Sequence, residues 1–191
     1  MGYPWTGRDS MYTSEIMRRR IIIPSPGILT DYDHSPWGEC IAVVGAAADD
    51  PDVMPELICD GIHIHPCMVR NTFRLFGSHR MILISDSMRA VGIEYGQYTL
   101  GDQEVTARGA LATLADGTIA GSATNLYDCM CKAVEMGIPK EQAIRAATIN
   151  PAVSIGVRDE VGSLEAGKYA NIVIADKELH RRQIILKGVN L

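Results

Sequence analysis

Apolar residues fall into short runs separated by charged and turn-forming stretches, and their spacing changes along the chain. Leu57-Ile58-Cys59-Asp60-Gly61-Ile62-His63-Ile64-His65-Pro66 is an apolar run ending in imidazoles. Ile82-Leu83-Ile84-Ser85-Asp86-Ser87 is an apolar run ending on a carboxylate. Both read as buried strands, and the segment from Cys67 to Phe76 between them reads as a helix, so the unit is strand–helix–strand. Upstream, Val43-Val44-Gly45-Ala46-Ala47 is apolar and small, and Asp49-Asp50-Pro51 is a turn. Further upstream a helix is predicted from Tyr12 to Arg20, and Pro24-Ser25-Pro26-Gly27 breaks the chain. Downstream, Tyr95 to Ala120 carries short alternating segments with turns at Gly101-Asp102 and Asp116-Gly117, which predicts antiparallel β structure.

Two helices follow. The first spans about Asn125 to Met136, with Ser122 or Thr124 as its cap and Gly137 as its terminator. The second starts at Pro139 and ends before Asn150-Pro151, with Ala143, Ile144, Ala147 and Ile149 roughly at the helical period. From Gly162 the tail alternates turns with strands at Asn171–Asp176 and Gln183–Leu186, and turns again at Gly188.

Composition narrows the class. At 191 residues the chain is long enough for one domain with a sizeable core, and 47% hydrophobic with 21% charged residues is the balance of a soluble globular protein. The net charge of −5 is spread among interspersed signs, which excludes a nucleic-acid surface; Arg18-Arg19-Arg20 is a solvated helix end. Ile21-Ile22-Ile23 stops at Pro24, too short for a secretory signal, and no stretch approaches a membrane span. Five scattered cysteines suit a reducing cytosol, and Cys129-Met130-Cys131 has no second pair to make a metal site. The cysteines read as packing residues in a cytoplasmic protein.

The candidate chemistry sits at the two strand ends. A lone Ser-Asp-Ser reads as a helix or turn cap. Placed after a buried strand and downstream of His63, Asp86 reads as catalytic, because (β/α) barrels present their reactive groups at the C-terminal ends of strands. His63 and His65 share one face if the strand runs through them. A His-x-His pair on a first barrel strand is an arrangement that can bind metal. Only one helix separates this pair from Asp86, so it reads as the penultimate strand. His65 then has no chemical role, and His34 and His180 are surface residues.

These residues resemble a known family. Glu56 to Pro66 resembles the seventh barrel strand of N-acetylglucosamine-6-phosphate deacetylases, and Ile82 to Gly92 their eighth. Asp116-Gly117-Thr118-Ile119-Ala120-Gly121-Ser122 is similar to their substrate-loop segment. Ala147-Thr148-Ile149-Asn150-Pro151-Ala152, with Gly162 to Ile174, is similar to the closing segment of the wider amidohydrolase superfamily. The resemblance spans about Val43 to Val189. It implies an α/β fold: a partial metal-dependent-hydrolase (β/α) barrel, of which the chain carries the last two strands, plus part of the amidohydrolase β-sandwich. The domains it implies are a non-family leader at 1–40, barrel strands and helix at 41–92, substrate loop, hairpin and helices at 93–160, and sandwich strands at 161–191.

The same resemblance implies hydrolysis of the acetamide of N-acetylglucosamine 6-phosphate, a phosphorylated amino sugar. Asp86 would be the catalytic carboxylate, shuttling a proton from water to the amine leaving group. His63 would polarise the acetamide carbonyl, and Ala120, Gly121 and Ser122 would lie against the sugar. A divalent metal, zinc or iron, is the implied cofactor. The glutamate and two histidines that hold it in the family have no match here, and no metal ligand is assigned. Two strands cannot close a barrel, so a homo-oligomer or a complementing chain is expected. The alternatives are a catalytically inactive, family-derived binding protein, or an amidohydrolase acting on another amide.

Overall fold

The structure is a computed structural model that describes residues 20–22, 39–88, 91–92, 95–100, 103–109, 111–115, 117 and 119–191. The helix expected from Tyr12, the Pro24–Gly27 break and the Gly101-Asp102 turn lie outside these residues, apart from Arg20.

Three parallel strands make the first sheet, in the order β1-β2-β3. They are β1 (Arg20–Ile22), β2 (Met54–Ile58) and β3 (Ile82–Ile84). Helix α1 (Glu39–Asp49) lies between β1 and β2 in the chain, and α2 (Pro66–Phe76) between β2 and β3. Ile22 pairs with Glu56, and Ile58 with Ile84, so the strands run in register and end at one edge. The sheet is one strand larger than the two expected. A three-residue apolar run carries no period of its own, and Arg20–Ile22 becomes a strand because β2 is there to pair with it. The small apolar stretch 43–47 is the middle of α1.

Next comes an antiparallel meander in the order β4-β5-β6-β7, formed by Tyr95–Leu100, Gln103–Arg108, Leu111–Leu114 and Ile119–Ser122. Three helices follow: α3 (Leu126–Glu135), α4 (Lys140–Ala147) and α5 (Ile149–Ser154). The chain closes with an antiparallel sheet in the order β10-β9-β8, from β8 (Ile172–Ala175), β9 (Arg181–Leu186) and β10 (Val189–Asn190).

The core lies between the parallel sheet and helices α2, α3 and α4. Leu57 of β2 with Cys59 just beyond it, and Leu83 of β3 with Met81 just before it, alternate onto one face. There they meet Val69, Phe73 and Phe76 of α2, Cys129, Met130 and Ala133 of α3, and Ala143 and Ala146 of α4. The helix ends are tied down by side chains. The Arg80 guanidinium donates to the Phe76 carbonyl at 3.0 Å, to the Ala48 carbonyl at 2.9 Å and to the Asp50 carbonyl, closing the C-termini of α1 and α2 together.

Helix α3 ends as expected at Gly137. With φ +95°, Gly137 donates to Val134 and Ile138 donates to Ala133, the paired pattern of a left-handed terminator. Its cap is neither Ser122 nor Thr124. Asn125 Oδ1 accepts from the Asp128 N–H at 3.0 Å, while the side chains of Ser122, at the end of β7, and Thr124 are buried. Asn150-Pro151 does not simply follow a helix. α4 stops at Ala147, and α5 restarts at Ile149 with Pro151 in its first turn, where a missing N–H costs nothing. The Asn150 amide donates to the carbonyls of Ser78 (2.8 Å) and Met81 (2.7 Å), pinning α5 to the loop before β3. Gly162, at φ +95°, leaves room for this junction: a Cβ there would stand 2.8 Å from the Ala152 Cβ.

Candidate active site

β2 stops at Ile58, so His63 and His65 are not strand residues, and the shared-face argument for them does not apply. The chain bends instead at Asp60–Ile64, and the bend is built by one carboxylate. Asp60 Oδ1 accepts from the backbone N–H of Ile62 (2.9 Å) and of His63 (3.0 Å), while Oδ2 faces His63 Nδ1 at 2.7 Å. Such a side-chain-to-backbone turn is what Asp does well. Here the residue is only 4% exposed. Burial raises the Asp60 pKa, but the backbone N–H groups of His63 and Ile62 and then the His63 ring outweigh it. The carboxyl is held below its ordinary range.

Two thiols lie under this bend. Burial, then Cys129 and Asp60, push the Cys59 thiol up to about 12. Burial, then Asp60, push Cys129 up to about 12. Both are neutral packing residues, as expected for the cysteines. Cys67 is not: it is exposed, with its Sγ 3.1 Å from His65 Nδ1. His65 caps α2, its Nδ1 accepting from the Cys67 N–H at 3.2 Å.

Asp86 lies two residues beyond β3, at the same sheet edge as the Asp60–His63 bend. Its φ is +47°, a left-handed conformation uncommon outside glycine, though Asp tolerates it better than most. Such conformations persist only where neighbours over-determine them. Here Ser87 bridges to Ser122, and the Met88 N–H donates to the Ser122 carbonyl at 2.8 Å. The Ser87 hydroxyl reaches Ser85 Oγ (2.7 Å) and the Thr124 carbonyl (2.6 Å). A capping carboxylate would accept a backbone N–H. The exposed Asp86 side chain makes no hydrogen bond or ion pair among the described residues.

The Ala120–Gly121–Ser122 segment is the end of β7, and the bridge to Ser87 sets it beside Asp86. A Cβ on Gly121 would stand 2.6 Å from Met88 Sδ, so that side chain would have to move. The Ser122 side chain is fully buried, and its Oγ accepts from the Thr124 N–H at 3.1 Å, so this segment presents backbone. Sequence reasoning missed Asp60, although an Asp-Gly pair closing an apolar run is a recognisable turn signal. It also read Thr124 only as a cap; the Thr124 hydroxyl is buried with no partner among the described residues. Among those residues no three His, Cys, Asp or Glu side chains group to hold a metal ion. His34 lies outside them.

The model of the amidohydrolase family matches residues 17–189. The match begins inside the stretch read from the sequence as a leader and takes in β1. N-acetylglucosamine-6-phosphate deacetylase of Vibrio furnissii is 38% identical over 147 residues, 76% of this chain and 37% of that protein. A putative N-acetylgalactosamine-6-phosphate deacetylase of Escherichia coli K12 is 37% identical over 147 residues, 76% of this chain and 87% of that protein. A solved structure of a Mycobacterium smegmatis N-acetyl-D-glucosamine-6-phosphate deacetylase variant, in complex with N-acetyl-D-glucosamine-6-phosphate, superposes with a TM-score of 0.68. Its sequence identity is 32%, and the superposition covers 75% of this chain and 39% of that one. The chain thus spans less than two fifths of the length of the Vibrio and Mycobacterium relatives. A family match over most of the chain, with a relative that is itself mostly covered, places the chain in the amidohydrolase family, beside the deacetylases of amino-sugar 6-phosphates.

Proposed function

We propose that this chain carries the proton-shuttling carboxylate and a substrate-polarising imidazole of a deacetylase acting on an N-acetylated amino-sugar 6-phosphate, N-acetylglucosamine 6-phosphate first among them. The observation that carries this is Asp86, exposed and without a hydrogen-bond partner among the described residues, just beyond β3 in a left-handed conformation next to the anchored Ser87. In this reading water adds to the acetamide carbonyl carbon, Asp86 takes a proton from that water, and the C–N bond breaks as Asp86 returns the proton to the amine. His63 donates to the carbonyl oxygen as negative charge develops there. The backbone of Ala120, Gly121 and Ser122 borders the sugar.

Amidohydrolases are generally metal-dependent, and zinc or iron is the cofactor the resemblance implies. The described residues do not make a site for it. Among the described residues nothing pairs with the outer edges of β1 and β3, and exposed apolar residues stud β8–β10. Both support a homo-oligomer or a complementing chain; a compact monomer on size-exclusion chromatography overturns that part. No described helix is long and apolar enough to cross a membrane.

Acetate release from N-acetylglucosamine 6-phosphate is the test. Asp86→Asn keeps the shape and the tolerance of positive φ while removing the base, and is expected to lower kcat by roughly 10²–10⁴-fold. Turnover unaffected by Asp86→Asn sinks the assignment. Wild-type protein that binds the sugar phosphate without releasing acetate favours the inactive binding protein.

A further inference from the structure

We propose that Asp60 is a positioning residue: by committing Nδ1–H of His63 it presents Nε2 to the substrate, where the ring donates as an imidazolium with Asp60 as its counter-charge. The proposal rests on the reading of His63 as the substrate's carbonyl donor.

The geometry leaves little freedom. Asp60 Oδ1 is occupied by the N–H groups of Ile62 and His63, so Oδ2, 2.7 Å from His63 Nδ1, is the oxygen available to the ring. An ionised carboxylate can only accept, so Nδ1 carries the proton. A neutral ring protonated at Nδ1 has a lone pair on Nε2 and cannot donate to a carbonyl. It donates from Nε2 only with a second proton.

The pair is shielded from solvent. The Asp60 side chain is fully buried and that of His63 is 13% exposed. The facing thiols of Cys59 and Cys129 are neutral, and among the described residues the only ion-pair partner of Asp60 is His63. A buried carboxylate 2.7 Å from the ring is the counter-charge a doubly protonated His63 would have beside it. An oxyanion then meets a full charge held in a fixed ring, not a neutral dipole.

Asp60 also makes the turn, and Asp60→Asn separates the two roles. The Ile62 and His63 N–H groups require an oxygen at the Oδ1 position, which places the asparagine NH2 against His63 Nδ1. That amide donates, so Nδ1 must hold the lone pair and the neutral ring becomes the Nε2–H tautomer. The turn survives; the tautomer inverts.

Nitrogen-15 NMR of the full chain across pH reads this directly, with His63→Gln identifying the His63 signals. The expected result is a neutral His63 ring protonated at Nδ1 in wild type and at Nε2 in Asp60→Asn, at an unchanged melting temperature to within a few degrees. A neutral wild-type ring protonated at Nε2, or no difference between the two proteins, overturns the proposal. For a second measurement, acetate release by His63→Gln is expected to fall roughly 10²–10³-fold, the cost of one lost oxyanion donor. Unchanged turnover there overturns the substrate contact on which the proposal rests. The two failures are distinguishable because the nitrogen spectrum needs no turnover.

Discussion

The parallel-sheet unit and the C-terminal sheet are both three strands, yet they treat their apolar residues in opposite ways. Leu57, Met81 and Leu83 are sealed beneath α2, α3 and α4. In β8–β10 the apolar positions stay in solvent: Leu186 is 49% exposed and Val189 63%. Tyr169, Ile172 and Leu179 line a cavity of about 750 Å³ between this sheet and the α3–α4 pair. A parallel sheet reached through helical crossovers brings its own cover, because each crossover returns a helix to the sheet face. A three-stranded meander has no such cover within its own sequence. The difference shows where the fold seals its apolar residues and where it leaves them in solvent.

The largest expected effect sets the two sheets side by side. Leu57→Ala should cost about 2–5 kcal/mol in denaturant unfolding, because it opens a cavity in a sealed core. Leu186→Ala should cost no more than about 1 kcal/mol, since half of that side chain is already in water. A loss at Leu186 equal to that at Leu57, and growing with protein concentration, would show the C-terminal sheet covered in solution and erase the contrast.

Asn150→Ala should cost roughly 1–3 kcal/mol by the same measurement, because the Ser78 and Met81 carbonyls lose their donor in a place with little water. A near-zero cost would mean that α5 is not anchored to the parallel unit.

The smallest effect concerns the turn between β8 and β9. The His180 N–H holds the Asp176 carboxyl down at about 2, from an ordinary 3.8, with further help from the His180 ring and Arg182. A carboxyl depressed by folding contributes stability that is fully present above pH 3.8 and lost as pH falls through about 2. Amide exchange over residues 176–182 should therefore be faster in Asp176→Ala than in wild type at neutral pH, and the two should converge near pH 2. Equal exchange at neutral pH would show the turn to be held by its backbone alone.

Legibility followed the length and company of each pattern. The β2–α2–β3 unit could be read because two continuous apolar runs flank a helical period. The antiparallel tail could be read from its alternation, and Gly137 as a terminator from a single residue type. β1 could not, since three residues carry no period, nor could the division of the Asn150 segment between α4 and α5. Asp86 was picked out by its place at a strand end and the Ala120–Ser122 segment by resemblance, and the structure sets the two side by side. Asp60 was missed because a buried Asp in a turn looks in sequence like any solvated one. His65 was read as idle and caps α2.

By itself the sequence determined most of the element order, the apolar faces that seal the α/β unit, and the presence of an imidazole and a carboxylate in the segments that follow successive strands. These are local properties: period, turn chemistry and residue type act over a few neighbours. Only the tertiary structure decided that Arg20–Ile22 is a strand, that Ser122 locks the backbone around Asp86, and that Asp60 is buried against His63. Each depends on groups far apart in the chain, or on how much water the fold leaves around a charge. Neither quantity is written in the spacing of residues.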